Sequence, residues 1–192
     1  MLPIFILRNM TSYTDYLMII SPPAEIKAEI DRYKRASARK IGEFNSLHSK
    51  AHISINSHTR CKPFHAQPAI MRMAGPLGLL PPIKLKIDGF KHSMSGDKYT
   101  IFAALANDER TSNWFKLLRQ QMRITTKNFI PHITVARSIQ GDVFNYLWPF
   151  FKDRPFTAEF MADRLTVLER ETYVLQSNWH IFTELHFGTQ LL

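Results

Sequence analysis

Runs of apolar residues predict a first group of elements in the N-terminal half of the chain. Residues 16–20 are apolar throughout, which is typical of a buried strand. Two prolines at positions 22 and 23 open a stretch of helical spacing that reaches about residue 40. Apolar and polar side chains then alternate over residues 51–55, which predicts a strand with two different faces, and residues 83–87 predict another.

The same order of elements returns in the second half of the chain. Residues 99–105 predict a strand, Asn107 and Asp108 predict a helix cap, and residues 114–122 have helical spacing. A strand is predicted again at residues 131–135, and residues 156–168 form a further strand candidate. We interpret this order as an internal duplication of strand, helix, strand and strand, with pseudo-repeats at about residues 15–95 and 98–187.

Composition agrees with one globular domain over residues 1–192. The chain is 45% hydrophobic, enough to bury a core, and no linker rich in Gly or Ser divides it. The Pro- and Gly-rich residues 75–82 predict a long turn between two strands. Their Gly-Pro-Leu-Gly segment also fits the GxxG loop of a KH domain, but a four-residue match is weak, so the turn is the preferred interpretation.

The N-terminal residues and the single cysteine indicate where in the cell the protein is expected. Residues 1–7 are apolar but too short to span a membrane, and no basic segment precedes them, so we expect neither a signal peptide nor a membrane anchor. Cys61 has no second cysteine with which to form an internal disulfide. Together these features predict a cytoplasmic protein, which we expect to be a monomer.

Charge favours partners that carry phosphate. The chain has 25 Lys and Arg against 16 Asp and Glu, with a pI of about 9.8. The early basic residues are concentrated on one predicted helix: Lys27, Arg32, Lys34, Arg35, Arg39 and Lys40. They form either a solvated helix face or an electrostatic track for RNA or a nucleotide.

Two segments carry the candidate chemistry. His52 and Ser54 in one strand, and His132 and Thr134 in another, lie two residues apart and therefore share a strand face. Two imidazoles with ordinary pKa values near 6.5 can serve as one general acid and one general base at neutral pH. The hydroxyls can donate hydrogen bonds to phosphoryl oxygens. The two pairs therefore suit reaction at a phosphodiester, and the sequence does not say which histidine is the acid.

The remaining histidines and aromatic residues have more ordinary interpretations. His48 and His52 have a zinc-ligand spacing for a helix, but residues 53–55 predict a strand and no acidic ligand lies nearby, so we expect no metal site. Four other histidines are predicted to be surface or structural residues: His58, His65, His180 and His186. His92 is a weaker candidate for the groove, and the candidates for base stacking are Phe64, Phe90 and Tyr99.

The two His-x-Ser/Thr strands, each within a strand-helix-strand unit, resemble the two-histidine (2H) phosphoesterase superfamily. The segment Pro-His-Ile-Thr-Val-Ala-Arg at residues 131–137 is similar in particular to the LigT-like branch, the 2'-5' RNA ligase family. The resemblance extends over about residues 16–187. It implies an α+β fold of two lobes, each an antiparallel sheet backed by helices, with the active groove between them.

The resemblance also implies an activity and a set of roles. It implies metal-independent hydrolysis of 2',3'-cyclic phosphate ends of RNA or nucleotides, reversible 2'-5' RNA ligase activity, and no cofactor. His52 and His132 would be catalytic, and Ser54, Thr134 and Arg137 would bind substrate. Strict alternation puts Arg137 on the opposite strand face, so its role requires a bulge. The alternatives are a non-catalytic RNA-binding module with the same basic groove, or a duplicated fold with structural histidines.

Overall fold

A computed structural model describes residues 12–126 and 128–189. The apolar segment at residues 1–7 lies outside these ranges. The strands are β1 (Thr14–Ile20), β2 (Ile53–Cys61), β3 (Ile83–Ser95), β4 (Lys98–Leu105), β5 (His132–Gln140), β6 (Thr157–Ala162), β7 (Arg164–Glu171) and β8 (His180–His186). The helices are α1 (Ala24–Ile41), α2 (Pro63–Met71), α3 (Ala74–Gly78), α4 (Glu109–Gln121) and α5 (Gly141–Leu147), with a 3-10 turn at Trp148–Phe150.

The strands form an antiparallel sheet in the order β6-β3-β4-β5-β2-β1-β7-β8. Between β5 and β2 the strands pair only at Ile133 and Ile53, so the sheet divides there into two halves of four strands. Helices pack on both halves: α1 contacts β5, α4 contacts β3 and α3 contacts β8. The predicted α+β fold with two antiparallel lobes is confirmed.

Each half-sheet takes strands from both sequence repeats. β3, which ends the first repeat, pairs with β4, which begins the second. β7 in the second repeat pairs in the same way with β1 at the start of the first. The repeat boundaries at about 15–95 and 98–187 remain a prediction, but the strand exchange ties both repeats into each lobe.

Local sequence signals explain the elements around the site. On β2 and β5 the residues that alternate with the histidine motifs are buried: Ile53, Ile55, Ile133 and Val135. Their burial turns the histidine and hydroxyl side chains toward the other face of the sheet. The predicted cap of α4 is confirmed, since a carboxylate oxygen of Asp108 accepts a hydrogen bond from the Thr111 backbone N–H at 2.7 Å.

Two sequence predictions need correction. The long turn at residues 75–82 is wrong in part, because residues 74–78 form α3, in which Pro76 lies in the first turn and Leu77 is fully buried. The Gly-Pro-Leu-Gly segment is therefore helical and is not a KH-type loop. The strand candidate at residues 156–168 is two strands, β6 and β7, separated at Asp163.

No helix within the described ranges is long and apolar enough to cross a membrane.

Candidate active site

All five sequence-predicted site residues line one cavity of about 700 Å³ where the two half-sheets meet. His52 and Ser54 reach it from the start of β2, and His132, Thr134 and Arg137 reach it from β5. The alternation of side chains along the two strands delivers both pairs to the same space. The structure therefore brings together the whole set that the sequence proposes.

The two histidines are held in the same way. Nδ1 of His52 lies 2.8 Å from the Lys50 carbonyl oxygen, and Nδ1 of His132 lies 2.8 Å from the Ile130 carbonyl oxygen. A carbonyl oxygen can only accept, so each Nδ1 carries a hydrogen and donates it. In the neutral rings Nε2 is then the unprotonated nitrogen, ready to take a proton.

The hydroxyl partners of the histidines differ between the two strands. The Ser54 hydroxyl lies 3.0 Å from Nε2 of His52, to which it donates when the imidazole is neutral. Thr134 lies on the cavity wall and is paired across the sheet with Phe102. The Phe102 ring packs against the His132 ring with centroids 4.5 Å apart, which fixes the plane of that imidazole. The two motifs are alike in sequence and unequal in their contacts.

Arg137 reaches the cavity through irregular backbone in β5. Successive pairs with β4 shift register on both sides of Ala136, and Ser138 has a φ of 58°. The buried Ser46 hydroxyl accepts a hydrogen bond from the Arg137 backbone N–H and donates one to the Val135 carbonyl, both at 3.0 Å. This irregularity is the bulge that the sequence requires for Arg137 to face the groove.

Burial and positive charge lower the pKa of both histidines. Burial is the largest cause for His52, and Lys34, Arg137 and His132 add to it electrostatically, against the hydrogen bond to the Lys50 carbonyl. Burial also lowers the pKa of His132, to which Arg137 adds. The cavity by itself thus favours neutral imidazoles, and a bound anion would favour protonation.

A known protein family matches most of this chain. The sequence model of the 2'-5' RNA ligase superfamily matches residues 22–173. The chain belongs to this superfamily. No curated protein sequence matches the chain.

Several solved structures share the fold of this chain. Apo LigT from E. coli is 14% identical with a TM-score of 0.65, and the alignment covers 92% of this chain and 99% of LigT. E. coli LigT complexed with 3'-AMP is 14% identical with a TM-score of 0.64, covering 91% and 98%. TT0787 of Thermus thermophilus is 15% identical with a TM-score of 0.61, covering 92% and 99%. Because the sequence identities are only 14–15%, these matches show a shared fold and nothing more.

Lys34 is a feature of this superfamily member that sequence reasoning missed. It is one of the six basic residues on the first helix, yet it is 1% exposed, and its ammonium donates hydrogen bonds to the backbone carbonyl and hydroxyl of Ser49. Burial is the largest cause that lowers its pKa. The available signal was its spacing: Ile26, Ile30 and Lys34 are four residues apart and therefore lie on the same buried face of the helix.

The other five basic residues of this helix do not line the cavity. Arg32 pairs with Glu29, and Lys40 lies over the Phe150 ring. Arg35 and Arg39 line a neighbouring surface pocket that shares Ser49 and Lys50 with the cavity. Lys27 lies beside yet another pocket, formed with β6 and β7. The solvated-face interpretation therefore describes Lys27, Arg32 and Lys40, whereas Arg35 and Arg39 lie beside the cavity.

The positive charge of the cavity comes instead from Lys50, Arg137 and Arg170, of which only Arg137 is predicted from sequence. Among its described lining residues there is no Asp, Glu or Cys. Within the described ranges no three His, Cys, Asp or Glu residues are grouped as metal ligands would be. The donor set thus suits an anion rather than a divalent cation.

The remaining candidates lie elsewhere. The four histidines predicted to be surface residues are exposed and outside the cavity: His58, His65, His180 and His186. His92 lines a neighbouring pocket against α4. The aromatic residues of the cavity are Phe129 and Trp179, whereas the three predicted stacking residues do not line it: Phe64, Phe90 and Tyr99.

Proposed function

We propose that this protein is a metal-independent phosphodiesterase that hydrolyses 2',3'-cyclic phosphate ends of RNA or nucleotides, with reversible 2'-5' RNA ligase activity as a second reaction of the same site. One observation carries the proposal: two histidines, each tethered through Nδ1 to a backbone carbonyl, share one basic cavity. Such a pair supplies one proton acceptor and one proton donor on either side of a bound phosphate. The protein acts in this proposal as a cytoplasmic monomer.

Hydrolysis needs two proton transfers around the phosphorus. The neutral histidine takes a proton from water through Nε2 as the water oxygen bonds to phosphorus. The bond from phosphorus to one ribose oxygen breaks, and the protonated histidine donates its Nε2 proton to that oxygen. The products are a phosphomonoester and a free ribose hydroxyl. In ligation the 5' hydroxyl of a second RNA end takes the place of water: its oxygen bonds to phosphorus, and the bond from phosphorus to the 3' oxygen breaks. The products are a 2'-5' linkage and a free 3' hydroxyl, and excess water favours hydrolysis.

The fixed donors around the histidines stabilise the phosphoryl charge. The Ser54 and Thr134 hydroxyls and the Arg137 guanidinium line the same cavity, where each can donate to a phosphoryl oxygen. Ser54 donates to His52 in the free protein, so substrate competes with that bond. A phosphate anion also raises the depressed histidine pKa values, which supplies the protonated acid once substrate is bound.

Two further observations support this function. The described lining of the cavity contains no carboxylate or thiolate that would hold a metal ion. The groups that can stabilise the phosphoryl charge are therefore the hydroxyls of Ser54 and Thr134 and the Arg137 guanidinium. LigT has been crystallised with 3'-AMP, a ribonucleotide of the type that opening of a cyclic phosphate releases. The site is compatible with ring opening to a 2'-phosphate and with ring opening to a 3'-phosphate.

A direct assay tests the proposal. The purified protein is incubated, with EDTA present, with nucleoside 2',3'-cyclic phosphates, RNA ending in a cyclic phosphate, and 2'-5' linked oligonucleotides. We expect turnover of a cyclic phosphate substrate that is lost in His52→Ala and His132→Ala. Turnover that EDTA abolishes and zinc or manganese restores contradicts the metal-independent mechanism. RNA binding without turnover of any substrate favours the binding-module alternative.

A further inference from the structure

The catalytic cavity extends well beyond the two histidines, across the half-sheet of β2, β1 and β7. On β1, Ile19 pairs with Ser54, and Asp15 pairs with Arg170 of β7. Ile19 and Asp15 are four residues apart, about 13 Å along the strand. The cavity lining includes both Ser54 and Arg170. A reacting phosphate at the histidines therefore leaves a distal part of the cavity to other atoms of the substrate.

Arg170 at this distal end is held in a fixed orientation. Its Nε and Nη2 donate to one Asp15 carboxylate oxygen at 3.2 and 3.1 Å. Its guanidinium lies over the Trp179 ring, 4.5 Å from the centroid, and Trp179 also lines the cavity. A guanidinium held at one edge and on one face has lost most of its rotational freedom before any ligand arrives.

Asp15 is built to hold this arginine. It is only 4% exposed, and its other carboxylate oxygen accepts hydrogen bonds from the Arg60 backbone N–H at 3.0 Å and the Thr172 hydroxyl at 2.9 Å. Burial raises the pKa of Asp15, but these hydrogen bonds and Arg170 together lower it below its ordinary value. The carboxylate is therefore charged and satisfied by its own partners, which leaves the far edge of Arg170 for a ligand.

The chemistry of that ligand follows from what Arg170 still offers. Within residues 12–126 and 128–189 the structure shows no hydrogen bond from its Nη1, and the side chain is 41% exposed. A guanidinium edge matches the geometry of phosphate oxygens, and no described acidic side chain lines the cavity to repel an anion. The site is therefore suited to a second phosphate group.

We infer that Arg170, positioned by Asp15, binds a second phosphate of the substrate, the one on the 5' oxygen of the ribose that carries the cyclic phosphate. This inference rests on the proposed function and narrows its substrate class. A nucleoside 2',3'-cyclic phosphate has no such group, whereas a 5'-phosphorylated nucleotide or the end of an RNA strand has one. The protein then prefers RNA ends over nucleoside cyclic phosphates.

Paired substrates test the inference. kcat/KM is measured for adenosine 2',3'-cyclic phosphate and for its 5'-phosphorylated form, with wild type, Arg170→Gln and Arg164→Gln. Arg164 is a matched control: it is on the same strand, is 40% exposed, and also pairs with carboxylates, but it lies outside this cavity. We expect wild type and Arg164→Gln to prefer the 5'-phosphorylated form about tenfold, and Arg170→Gln to lose that preference.

Asp15→Asn tests the positioning role of Asp15 through the same ratio. Loss of orientation of Arg170 raises KM for the 5'-phosphorylated substrate more than for the other, and Asp15→Glu restores part of the preference. A purely structural role lowers activity on both substrates equally. Equal loss on both substrates in Arg170→Gln, or no preference in wild type, overturns the inference.

A binding measurement keeps this test separate from that of the proposed function. Calorimetry compares adenosine 3'-monophosphate with adenosine 3',5'-bisphosphate on the same variants. If no substrate is turned over, the proposed function is wrong, and the affinities still decide the subsite. Tighter binding of the bisphosphate to wild type, lost in Arg170→Gln, supports the second phosphate site. Equal affinities of the two ligands for wild type overturn it.

Discussion

Ile53 of β2 pairs with Ile133 of β5, and this backbone pair joins the two half-sheets. Each isoleucine directly follows one of the two histidines, and both isoleucine side chains are fully buried. The contact that joins the half-sheets therefore also brings His52 and His132 to the same cavity. Positive charge on His132 is close enough to lower the pKa of His52.

Shortening either isoleucine at this junction will destabilise the fold. Ile53→Ala and Ile133→Ala each leave a cavity in the core, so we expect the free energy of unfolding to fall by about 2 to 5 kcal/mol, measured by denaturant titration. The valine variants should lose about 1 kcal/mol. Ile181→Ala, at a residue 61% exposed on β8, is the control and should change stability little. Alanine variants as stable as the parent contradict the role of this junction.

Removing either histidine will reduce turnover sharply. We expect His52→Ala and His132→Ala each to lower kcat about 10²- to 10⁴-fold, the usual contribution of a positioned acid or base. The double variant should cost much less than the product of the two losses, because the residues act as a unit. His48→Ala is the control, since its side chain is 82% exposed and outside the cavity. Full activity in either single variant removes that residue from the mechanism.

The hydroxyls will contribute to binding of the transition state. Ser54→Ala and Thr134→Ala each delete a donor to the phosphoryl group. We therefore expect transition-state stabilisation, calculated from kcat/KM, to fall by about 1.5 to 3 kcal/mol in each variant. Ser54→Thr keeps the hydroxyl and should be close to the parent, which makes it the matched control. If the alanine variants bind RNA as well as the parent and the parent turns over no substrate, the catalytic assignment is wrong.

The activity will have an optimum on the acid side of the ordinary histidine pKa. Both imidazole pKa values are lowered in the free protein, so the profile of kcat/KM against pH should be a bell with its maximum below about 6.5. Arg137→Gln removes a positive charge that disfavours both imidazolium ions. The pKa values then rise, and both limbs move to higher pH, whatever the loss in rate. Arg39→Gln, outside the cavity, should leave the limbs in place, and an unshifted profile in Arg137→Gln contradicts the electrostatic coupling.

Lys34 will distinguish the two histidines. Its charge lowers the pKa of His52, whereas burial and Arg137 are the causes given by the structure for His132. We expect Lys34→Met, which preserves the buried volume, to raise the pKa of His52 more than that of His132 in an NMR titration. Lys40→Met on the exposed side of the same helix is the control. Equal shifts of both histidines would show that Lys34 does not break their symmetry.

Several features followed from local sequence. Alternation along residues 51–55 and 131–135 placed each histidine with its hydroxyl on one strand face, since the side-chain period of a strand is fixed by covalent geometry. Asp108 indicated the start of α4, because a cap is formed within one turn of its own helix. The strand candidate at residues 156–168 failed at its interior, where a break at Asp163 interrupts a largely apolar run.

The sequence by itself determined the two His-hydroxyl pairs, the strand and helix that precede each of them, and the basic character of the protein. Only the tertiary structure decided that β5 meets β2, that Lys34 is buried, and that Arg170 and Trp179 reach the same cavity. The physical reason is the separation along the chain between the residues that interact. Turns, caps and strand faces depend on residues within a few positions of one another, whereas strand pairing and burial depend on chain segments that are distant in sequence, such as Asp15 and Arg170.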